Sequence, residues 1–419
     1  MTLNKLSEKQ KLVLRWCHMP GTRDKYSALV CDGAVRSGKT VCMVVSFILW
    51  AMRFFDGATF GICGKTVQSA ERNIIMLLQT IADITAYYDL TYSRSAKLLT
   101  VTGAGRSNRF YIFGGKDGSS YMLIQGITLS GVLFDEVALM PRSFVEQAIA
   151  RTLSVPTAKL WFNCNPEGPQ HWFYQEWILH PQEDVLHLHF LMQDNPVMDA
   201  ASIAKAEERF QGVFYDRYIR GLWVLAEGRI YDMFDHCKHV VSAPPAPCSQ
   251  YYVSMDYGTQ NPTAMLLWGK CKGAWYLIRE YYHSGRATHR QKTDEEYCDD
   301  LEALVGNLHI RAVIVDPSAA SMIACIRRRG RFLVIPADNA VVDGIRVTAT
   351  AFSLGRLFLC DRCENTLAEI DGYVWDDKAA DRGEDKPLKI NDHAMDAMRY
   401  FCMEVFGRNS IGPITIGGR

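Results

Sequence analysis

The chain contains no uncharged apolar run of the about 18–20 residues that a membrane-spanning helix requires. Its longest candidate, Val41–Phe55, is interrupted by Arg53 and is better explained as a buried helix. Residues 1–10 are polar and lack the apolar core of a secretory signal. These absences predict a protein that does not associate with membranes and stays in the cytosol.

The chain also lacks an excess of charge of either sign, with 46 Lys and Arg against 46 Asp and Glu. A neutral total neither supports nor excludes nucleic-acid binding, because a local basic stripe is enough for it. The densest basic cluster is Arg327–Arg331, and we interpret it as a solvated helix end rather than a binding surface.

Closely spaced cysteine pairs are scarce, although the chain has 13 cysteines. Most are scattered through apolar stretches, which is typical of reduced core residues in a cytosolic protein. Cys360 and Cys363 form a C-x-x-C pair, but no second pair lies nearby to complete a zinc site. We favour a packing role for this pair over a metal or redox role.

At 419 residues the chain should form two domains. Strands alternate with helices along residues 1–170, which predicts an α/β core around a mostly parallel sheet. Tyr121–Ile124 is predicted as one of its strands, and residues 171–230 as a small helical lid. The breaker run Ala243–Pro247 marks a domain boundary between residues 227 and 250. A second α/β domain should follow at residues 245–407, with a polar loop at 376–389 and a mobile tail at 408–419.

A complete phosphate-binding motif stands near the start of the first predicted domain. Gly33–Thr40 reads GAVRSGKT and fits the G-x-x-x-x-G-K-[ST] pattern, with a predicted strand before it and a helix after it. The glycines let backbone N–H groups turn toward phosphate oxygens, and the helix N-terminus favours their negative charge. Lys39 is expected to contact the β- and γ-phosphates of ATP, and Thr40 to ligate Mg²⁺.

A second motif supplies the acidic groups that hydrolysis of a nucleotide requires. The apolar strand Gly131–Phe134 delivers Asp135 to the Mg²⁺ site, and Glu136 can polarise the attacking water. Arg36, inside the loop, can stabilise charge at the γ-phosphate or can be an ordinary surface arginine. Asn163–Pro166 can sense the γ-phosphate or can simply form a turn.

Scattered acidic residues in the second half predict a metal site. Asp256 and Asp316 each end a predicted strand, and His393 and Asp396 share one face of a late helix. Three carboxylates and one imidazole can hold two Mg²⁺ or Mn²⁺ ions about 4 Å apart, an arrangement that cleaves phosphodiesters. Each of these residues taken alone is better explained by a structural role, such as a solvated aspartate or a helix cap. The order of the acids resembles that of ribonuclease-H-like nucleases.

Taken together, these motifs resemble the large terminase subunit of tailed bacteriophages over nearly the whole chain. The most specific string is Asp392–Tyr400, which reads DHAMDAMRY, and Leu6–Gln10 resembles the family's adenine-contacting segment. Cys164 departs from the small residue that usually precedes Asn-Pro in the family's coupling motif, which leaves the coupling role of Asn165 open. The resemblance implies a P-loop ATPase domain followed by a ribonuclease-H-like nuclease domain.

The resemblance also implies ATP-driven translocation of double-stranded DNA into proheads and its cutting by a metal-dependent endonuclease. It implies partners as well: a small terminase subunit, a portal ring, and further copies of the chain in a ring on the portal. The protein would act in the cytoplasm of the infected host cell and dock transiently on the prohead. The expected nucleotide contacts are Gln10, Gly33, Arg36, Ser37, Gly38, Lys39, Thr40, Asp135 and Asn165. The expected catalytic residues are Glu136, Arg36, Asp256, Asp316 and Asp396, and the expected metal ligands are Thr40, Asp135, Asp256, Asp316, His393 and Asp396.

Two other functions fit the motifs. One is a cellular DNA-translocating ATPase with a nuclease domain, of the repair or restriction type, but no helicase motif set is visible in the sequence. The other is an assembly scaffold whose nuclease half has lost activity, which a test for Mn²⁺-dependent plasmid cleavage would reveal.

Overall fold

The computed structural model describes residue 3 and residues 5–208, 210–258, 261–288 and 290–407. It divides into two compact units: residues 1–207 with 213–225, and residues 208–212 with 226–419. The tail predicted at 408–419 lies outside the described residues. The segment predicted as a separate lid, 171–230, belongs mostly to the first unit.

The first unit contains one sheet of eight strands within the described ranges, in the order β3-β4-β5-β2-β6-β7-β1-β8. These strands are β1 Ala28–Gly33, β2 Thr59–Gly64, β3 Asp89–Ser93, β4 Leu98–Gly103, β5 Arg106–Gly114, β6 Gly131–Asp135, β7 Lys159–Asn163 and β8 Val185–Phe190. Across the sheet, the neighbouring strands in the series β5-β2-β6-β7-β1-β8 are all parallel. The pairs β3-β4 and β4-β5 at the other edge are antiparallel. The carboxyl ends of β1, β6 and β7 therefore meet at one edge of the sheet.

Helices cover this sheet and supply its core. They are α1 Glu8–Arg15, α2 Pro20–Arg23, α3 Lys39–Phe54, α4 Val67–Ala70, α5 Met76–Thr80, α6 Ala82–Thr85, α7 Arg142–Ala150, α8 Ala200–Glu207 and α9 Gly212–Tyr218. Helix α3 is apolar on nearly every side, which suits a helix buried within a large domain. Its Phe47 and Trp50 rings pack against Trp161 of β7 with centroids 5.0 Å apart in each pair. This packing holds α3, whose first residues belong to the phosphate-binding motif, against the sheet.

The second unit is built on a mixed sheet of seven strands, counted over the same described residues, in the order β14-β13-β10-β11-β12-β15-β9. The strands are β9 Val240–Val241, β10 Gln250–Asp256, β11 Thr263–Cys271, β12 Ala274–His283, β13 Val313–Val315, β14 Val334–Pro336 and β15 Leu357–Cys360. The central β10-β11-β12 strands are antiparallel, and the outer strands join them in parallel.

Helices flank this second sheet. They are α10 His236–His239, α11 Gly285–Thr288, α12 Asp294–Val305, α13 Ala320–Arg329, α14 Val341–Ser353, α15 Glu364–Gly372, α16 Asp377–Ala380 and α17 His393–Cys402. Trp268 of β11 stacks on Phe401 of α17 with centroids 4.3 Å apart, which fixes the last helix against the sheet. Both units are α/β with parallel-rich sheets, so the predicted fold class is confirmed.

Three local predictions were wrong. Tyr121–Ile124 lies in a 3₁₀ helix over Gly118–Ile124 rather than in a strand. The predicted lid contains the strand β8, whose alternating side chains are partly exposed because it lies at the sheet edge. The predicted polar loop contains the short helix α16, and the sequence reasoning missed α15 altogether. In the part of the chain that the structure describes, no helix is long and apolar enough to span a bilayer.

Candidate active sites

The phosphate-binding motif forms a tight loop between β1 and α3. Gly33 has φ +119°, and a Cβ there would lie 2.0 Å from the carbonyl oxygen of Phe190, so only glycine fits. Gly38 caps α3 with φ +85°, and Arg36 adopts φ +58° despite its side chain. Such conformations turn backbone N–H groups inward and are retained mainly at functional sites.

Lys39 lies folded against this loop. Its Nζ donates to the carbonyl oxygens of Gly33 at 2.9 Å and Ala34 at 2.7 Å, and to Asn165 Oδ1 at 3.2 Å. Burial lowers the pKa of this ammonium to about 8. The structure thus brings the expected coupling residue Asn165 into contact with the expected phosphate ligand Lys39.

Thr40, Asp135 and Asn163 form a hydrogen-bonded cluster beneath the loop. Thr40 Oγ1 donates to Asp135 Oδ1 at 3.3 Å, and Asn163 Nδ2 donates to the same carboxylate oxygen at 2.6 Å. Burial raises the pKa of Asp135, while hydrogen bonds from Asn73 and Asn163 act in the opposite direction. Since the buried amide oxygen of Asn163 accepts no hydrogen bond from the described residues, the cluster presents the oxygen atoms that Mg²⁺ prefers.

The remaining expected residues of this site lie around the loop. Glu136 follows β6 with φ +61°, an uncommon conformation for a glutamate. Arg36 has an exposed side chain, and its carbonyl oxygen accepts from Asn195 Nδ2 at 2.7 Å. Gln10 is buried and donates through Nε2 to the carbonyl oxygen of Ser37 at 3.1 Å. Gln10 therefore supports the loop directly, a contact that the sequence did not predict.

Behind the loop lies an aspartate that the sequence reasoning missed. Asp32 ends β1 just before Gly33, and only 1% of it is exposed. Its carboxylate contacts His187 Nε2 at 2.8 Å and His189 Nδ1 at 3.1 Å, and it accepts from Trp223 Nε1 at 2.8 Å. Burial would raise the pKa of Asp32, but the hydrogen bonds from the two histidines outweigh it and hold that pKa below its ordinary value.

In the second unit the topology gathers the predicted acidic residues. Asp256 ends β10, Asp316 follows the adjacent parallel strand β13, and α17 packs against β10. His393 Nδ1 lies 2.8 Å from Asp256 Oδ2. Burial raises the pKa of Asp256, and it lowers that of His393, but the Asp256 carboxylate more than compensates and leaves the histidine pKa raised.

Tyr400 contacts one of the carboxylates of this acidic cluster. Its hydroxyl donates to Asp316 Oδ2 at 3.0 Å. Burial raises the pKa of this hydroxyl. The nearby charges of Asp256, Asp396 and Asp316 raise it further. The sequence motif included Tyr400, but nothing in the sequence assigned it a role.

Two cations hold the remaining acids. Lys389 Nζ donates to Asp392 Oδ2 at 2.8 Å and to Asp396 Oδ2 at 3.2 Å. Arg399, almost fully buried, pairs with the other oxygen of Asp396. The cluster therefore combines four carboxylates with an imidazole, an ammonium and a guanidinium.

The donor chemistry of this cluster fits a hard divalent cation, since carboxylates and imidazole are suitable ligands for Mg²⁺ and Mn²⁺. Within residues 3–407, excluding the gaps that the structure does not describe, no three His, Cys, Asp or Glu side chains converge in a way that could hold a metal ion. The contacts of the aspartates explain why the side chains do not converge. Asp316 is turned to Tyr400, and Asp396 is turned to Lys389 and Arg399.

Glu369 is a further residue of this cluster that the sequence reasoning missed. It lies on α15 and accepts at Oε2 from the backbone N–H groups of Ala394 at 2.6 Å and Met395 at 3.3 Å. Its other oxygen accepts from the Tyr282 hydroxyl at 2.7 Å. A carboxylate at these N–H groups satisfies the start of α17 and its helix dipole, and so fixes where His393 points.

The basic cluster and the cysteine pair have structural roles here. Arg329 pairs with Glu295 at 2.7 Å and with Asp299 at 2.6 Å, and Arg331 pairs with Glu302 at 2.9 Å, so these charges are largely neutralised along α12. Cys360 and Cys363 are both buried and free, as expected for packing residues.

Comparisons with known proteins bear on both units. Residues 30–236 match the family "Terminase large subunit, T4likevirus-type, N-terminal". A large terminase subunit of Escherichia phage T5 is 23% identical over 287 residues, and the matched segment spans 64% of this chain and 64% of that relative.

Solved structures extend the comparison to the whole chain. The large terminase of a thermophilic bacteriophage is 49% identical, with a TM-score of 0.92, and the match covers 96% of this chain and 99% of that one. The same protein in complex with ATP-gamma-S is 48% identical with a TM-score of 0.89, covering 95% of this chain and 99% of that one. A match at this identity over almost the entire length shows common descent as well as a common fold. The chain therefore belongs to the large terminase subunits of tailed bacteriophages.

Proposed function

We propose that this chain hydrolyses ATP to move double-stranded DNA into phage proheads and cuts that DNA with a metal-dependent endonuclease. One observation carries the proposal. A complete phosphate loop with its acidic partners lies in one compact unit, and a separate cluster of four carboxylates and a histidine lies in the other. The large terminase of the thermophilic bacteriophage, whose structures include complexes with ADP and ATP-gamma-S, supports nucleotide binding at the first of these sites.

In the ATPase unit, the backbone N–H groups of Gly33–Thr40 and the Lys39 ammonium would hold the phosphates. Thr40 and Asp135 would hold Mg²⁺, which supplies charge neutralisation at the β- and γ-phosphates. Glu136 would accept a proton from the water that attacks the γ-phosphorus. The bond between the γ-phosphorus and the oxygen that bridges it to the β-phosphate would then break, and ADP would leave. Arg36 would stabilise the charge that develops on the phosphoryl oxygens.

Asn165 would report the state of the nucleotide. Its amide oxygen now accepts from Lys39, which donates to two carbonyl oxygens of its own loop. A bound phosphate would draw Lys39 away from these partners, because a phosphate oxygen is a stronger acceptor than a neutral carbonyl oxygen. Asn165 would then lose its contact with Lys39, and the segment after β7 would respond. Gln10 would position the loop, and through it the nucleotide.

In the nuclease unit, Asp256, Asp316, His393 and Asp396 would hold two Mg²⁺ or Mn²⁺ ions, which supply a nucleophilic water and neutralise the scissile phosphate. That water would lose a proton and attack the phosphorus, the phosphodiester P–O bond would break, and the leaving oxygen would take up a proton. Lys389 has an exposed side chain, so it can swing away from Asp396 and contact the DNA backbone instead. Catalysis therefore requires a rearrangement of these side chains.

The proposed partners follow from family membership. They are double-stranded DNA, a small terminase subunit, the portal ring, and further copies of this chain arranged as a ring on the portal. The chain would act in the cytoplasm of the infected host cell and dock transiently on the prohead. A DNA-dependent rise in ATP hydrolysis by the purified chain would test the first of these interactions.

The ATPase assignment is tested by Lys39→Ala in the full chain. We expect loss of ATP hydrolysis, measured by phosphate release, with Mn²⁺-dependent cleavage of plasmid DNA retained. Lys116→Ala, which changes an exposed lysine in the same unit, is the matched control and should retain both activities. Simultaneous loss of both activities in Lys39→Ala would argue against two separate sites.

The nuclease assignment is tested by Asp256→Ala, which should abolish plasmid cleavage and spare ATP hydrolysis. Asp361→Ala is the matched control, since Asp361 also follows a strand of the same sheet but is exposed. A variant that still cuts DNA as the parent does would refute the metal assignment. A parent chain that cuts no better than Asp316→Ala would instead indicate a motor without nuclease activity.

A further inference from the structure

Residues 217–224, which we call the brace, contact both sides of the proposed nucleotide site. The brace begins at the end of α9, and all of its residues belong to the first compact unit. One group of its contacts is made with the start of the phosphate loop. The other group is made with the segment after β7 that carries Asn165.

The first group of contacts holds the start of the phosphate loop. The carbonyl oxygen of Tyr218 accepts from the backbone N–H of Val35 at 2.8 Å. Trp223 Nε1 donates to Asp32 Oδ2 at 2.8 Å. Asp32 directly precedes Gly33 and Val35 is the second residue after it, so the brace holds the loop on both sides of this glycine.

These contacts decide where the phosphate-binding N–H groups begin. The N–H of Val35 is committed to Tyr218, and that of Ala34 donates to the carbonyl oxygen of Phe190 at 2.8 Å. The N–H groups that can turn toward phosphate oxygens therefore begin at Arg36, where the backbone adopts φ +58°. A displacement of Tyr218 would release Val35 and change the shape of the loop at this point.

Arg217 makes the second group of contacts, and only 1% of it is exposed. Its Nε and Nη2 donate to the carbonyl oxygen of Val224 at 3.0 and 2.6 Å, which joins the two ends of the brace. Its Nη1 donates to Glu167 Oε2 at 3.2 Å. Glu167 stands two residues after Asn165, whose amide oxygen accepts from Lys39, so one guanidinium ties the brace to the segment that contacts this lysine.

The burial of the Arg217–Glu167 ion pair points to a positioning role rather than to a gain in stability. Apolar residues of similar volume often stabilise a fold as well as a buried ion pair does, because moving charges out of water is costly. The planar guanidinium instead supplies fixed geometry, since its donors point in defined directions. Arg217 therefore acts on the phosphate loop through Tyr218 and Trp223, and on the Asn165 segment through Glu167.

We propose that the brace sets the position of the phosphate loop relative to Asn165, and that Arg217 is the positioning residue on which tight nucleotide binding depends. This inference rests on the proposed ATP site and adds to it residues that lie outside its motifs. Without Arg217 the ends of the brace separate, and Tyr218 and Trp223 no longer hold the loop. The nucleotide must then order the loop itself, and this cost weakens its binding.

The nucleotide affinity of full-chain variants tests the brace, measured by titration calorimetry with ATP-gamma-S and Mg²⁺. Arg217→Met keeps the length of the side chain but none of its donors, and it should raise the Kd about tenfold. Arg217→Lys should recover part of this loss, because it keeps a charged donor beside Glu167. Arg220→Met is the matched control and should bind as the parent does. Arg220 lies in the same segment, but its side chain is 61% exposed and pairs with Asp216.

A smaller change keeps the test decisive if Arg217→Met does not fold. Trp223→Phe removes only the N–H that donates to Asp32, and it should raise the Kd about threefold. The KM for ATP should rise in both variants while kcat stays within about twofold of the parent value, because ground-state and transition-state binding weaken together. A merely structural role would lower the unfolding temperature and leave the Kd and KM of the folded protein unchanged.

Folded Arg217→Met and Trp223→Phe variants that bind ATP-gamma-S as tightly as the parent would overturn the positioning role. An equal loss of affinity in Arg220→Met would overturn it as well, because that variant leaves the contacts of the brace in place. A parent chain that binds ATP-gamma-S but releases no phosphate from ATP overturns the proposed hydrolysis, while the Kd series still decides the role of the brace. A parent chain that binds no nucleotide overturns both.

Discussion

The buried carboxylate of Asp32 should be one of the largest single contributors to the stability of the ATPase unit. Replacing it with alanine leaves Trp223 Nε1 and one ring nitrogen each of His187 and His189 without their acceptor. It also removes the side chain that directly precedes Gly33. The prediction is therefore a loss of stability in this unit together with weaker nucleotide binding.

The size of the loss follows from the burial of the partners. Removing one member of a buried charged network costs about 3–5 kcal/mol. The side chains of His187 and His189 are 27% and 40% exposed, so water can take over part of their hydrogen bonding. We therefore expect the lower end, about 3 kcal/mol, which corresponds to a fall of about 6–12 °C in the unfolding temperature for a unit of this size.

Thermal denaturation followed by circular dichroism measures this effect, with Asp24→Ala as the matched control. Asp24 pairs with Arg23 on the surface, with a carboxylate that is 66% exposed, and its loss should change the unfolding temperature by less than about 2 °C. A fall in Asp32→Ala no larger than that of the control would refute the reasoning.

The pH dependence gives a second check on Asp32. The pKa of the Asp32 carboxyl is lower in the folded state than in the unfolded state, where it is about 3.9. The carboxylate therefore stabilises the folded state fully above that unfolded-state pKa, and this stabilisation is lost as pH falls toward the folded-state pKa. The difference in stability between the parent and Asp32→Ala should therefore be full at pH 7 and shrink below about pH 4. A difference that grows on acidification would contradict the assignment.

Three further outcomes are expected. Glu369→Ala should lower the Mn²⁺ affinity of the full chain about tenfold without changing ATP hydrolysis, because the start of α17 loses the carboxylate that holds it in place. An unchanged Kd for Mn²⁺ would contradict this role of Glu369. Nucleotide binding measured between pH 7 and pH 9 should weaken above pH 8, because Lys39 then loses the positive charge that binds the phosphates. The Lys39→Arg variant should bind nucleotide less tightly but should not show that pH dependence. Ellman's reagent should modify the exposed Cys237 first and the partly buried Cys248 next in the native protein, and all 13 cysteines after denaturation; rapid native labelling of more than two thiols would contradict the described burial.

Much of the first unit could be read from the sequence because its signals are local. The strand Gly131–Asp135 has the predicted bounds, since it is a short apolar run that ends in a polar residue. The loop Gly33–Thr40 can be recognised in the sequence because its glycines, which adopt positive φ, and its lysine stand at the fixed spacing of the motif. The same holds for the string Asp392–Tyr400, whose family resemblance needs no knowledge of contacts.

Other features depend on residues far apart in the chain and have no local signal. One exception is β8, whose residues 186–190 alternate apolar and polar side chains as a strand does, although the longer pattern around them predicts a helical lid. Asp32 looks like any polar residue at the end of a strand until β8 and Trp223 are placed beside it. Glu369 reaches the start of α17 from a helix that was not predicted at all.

The sequence by itself determined the family and supplied the motifs on which both proposed chemistries rest, because phosphate binding and the order of acids are encoded by residues close together in the chain. Only the tertiary structure decided which of these residues touch. It placed Asn165 on Lys39, put the Tyr400 hydroxyl on Asp316, and buried Arg399 against Asp396. The physical reason is that pairing and burial depend on strand order and helix packing, which bring together residues separated by as many as 191 positions, as in Asp32 and Trp223.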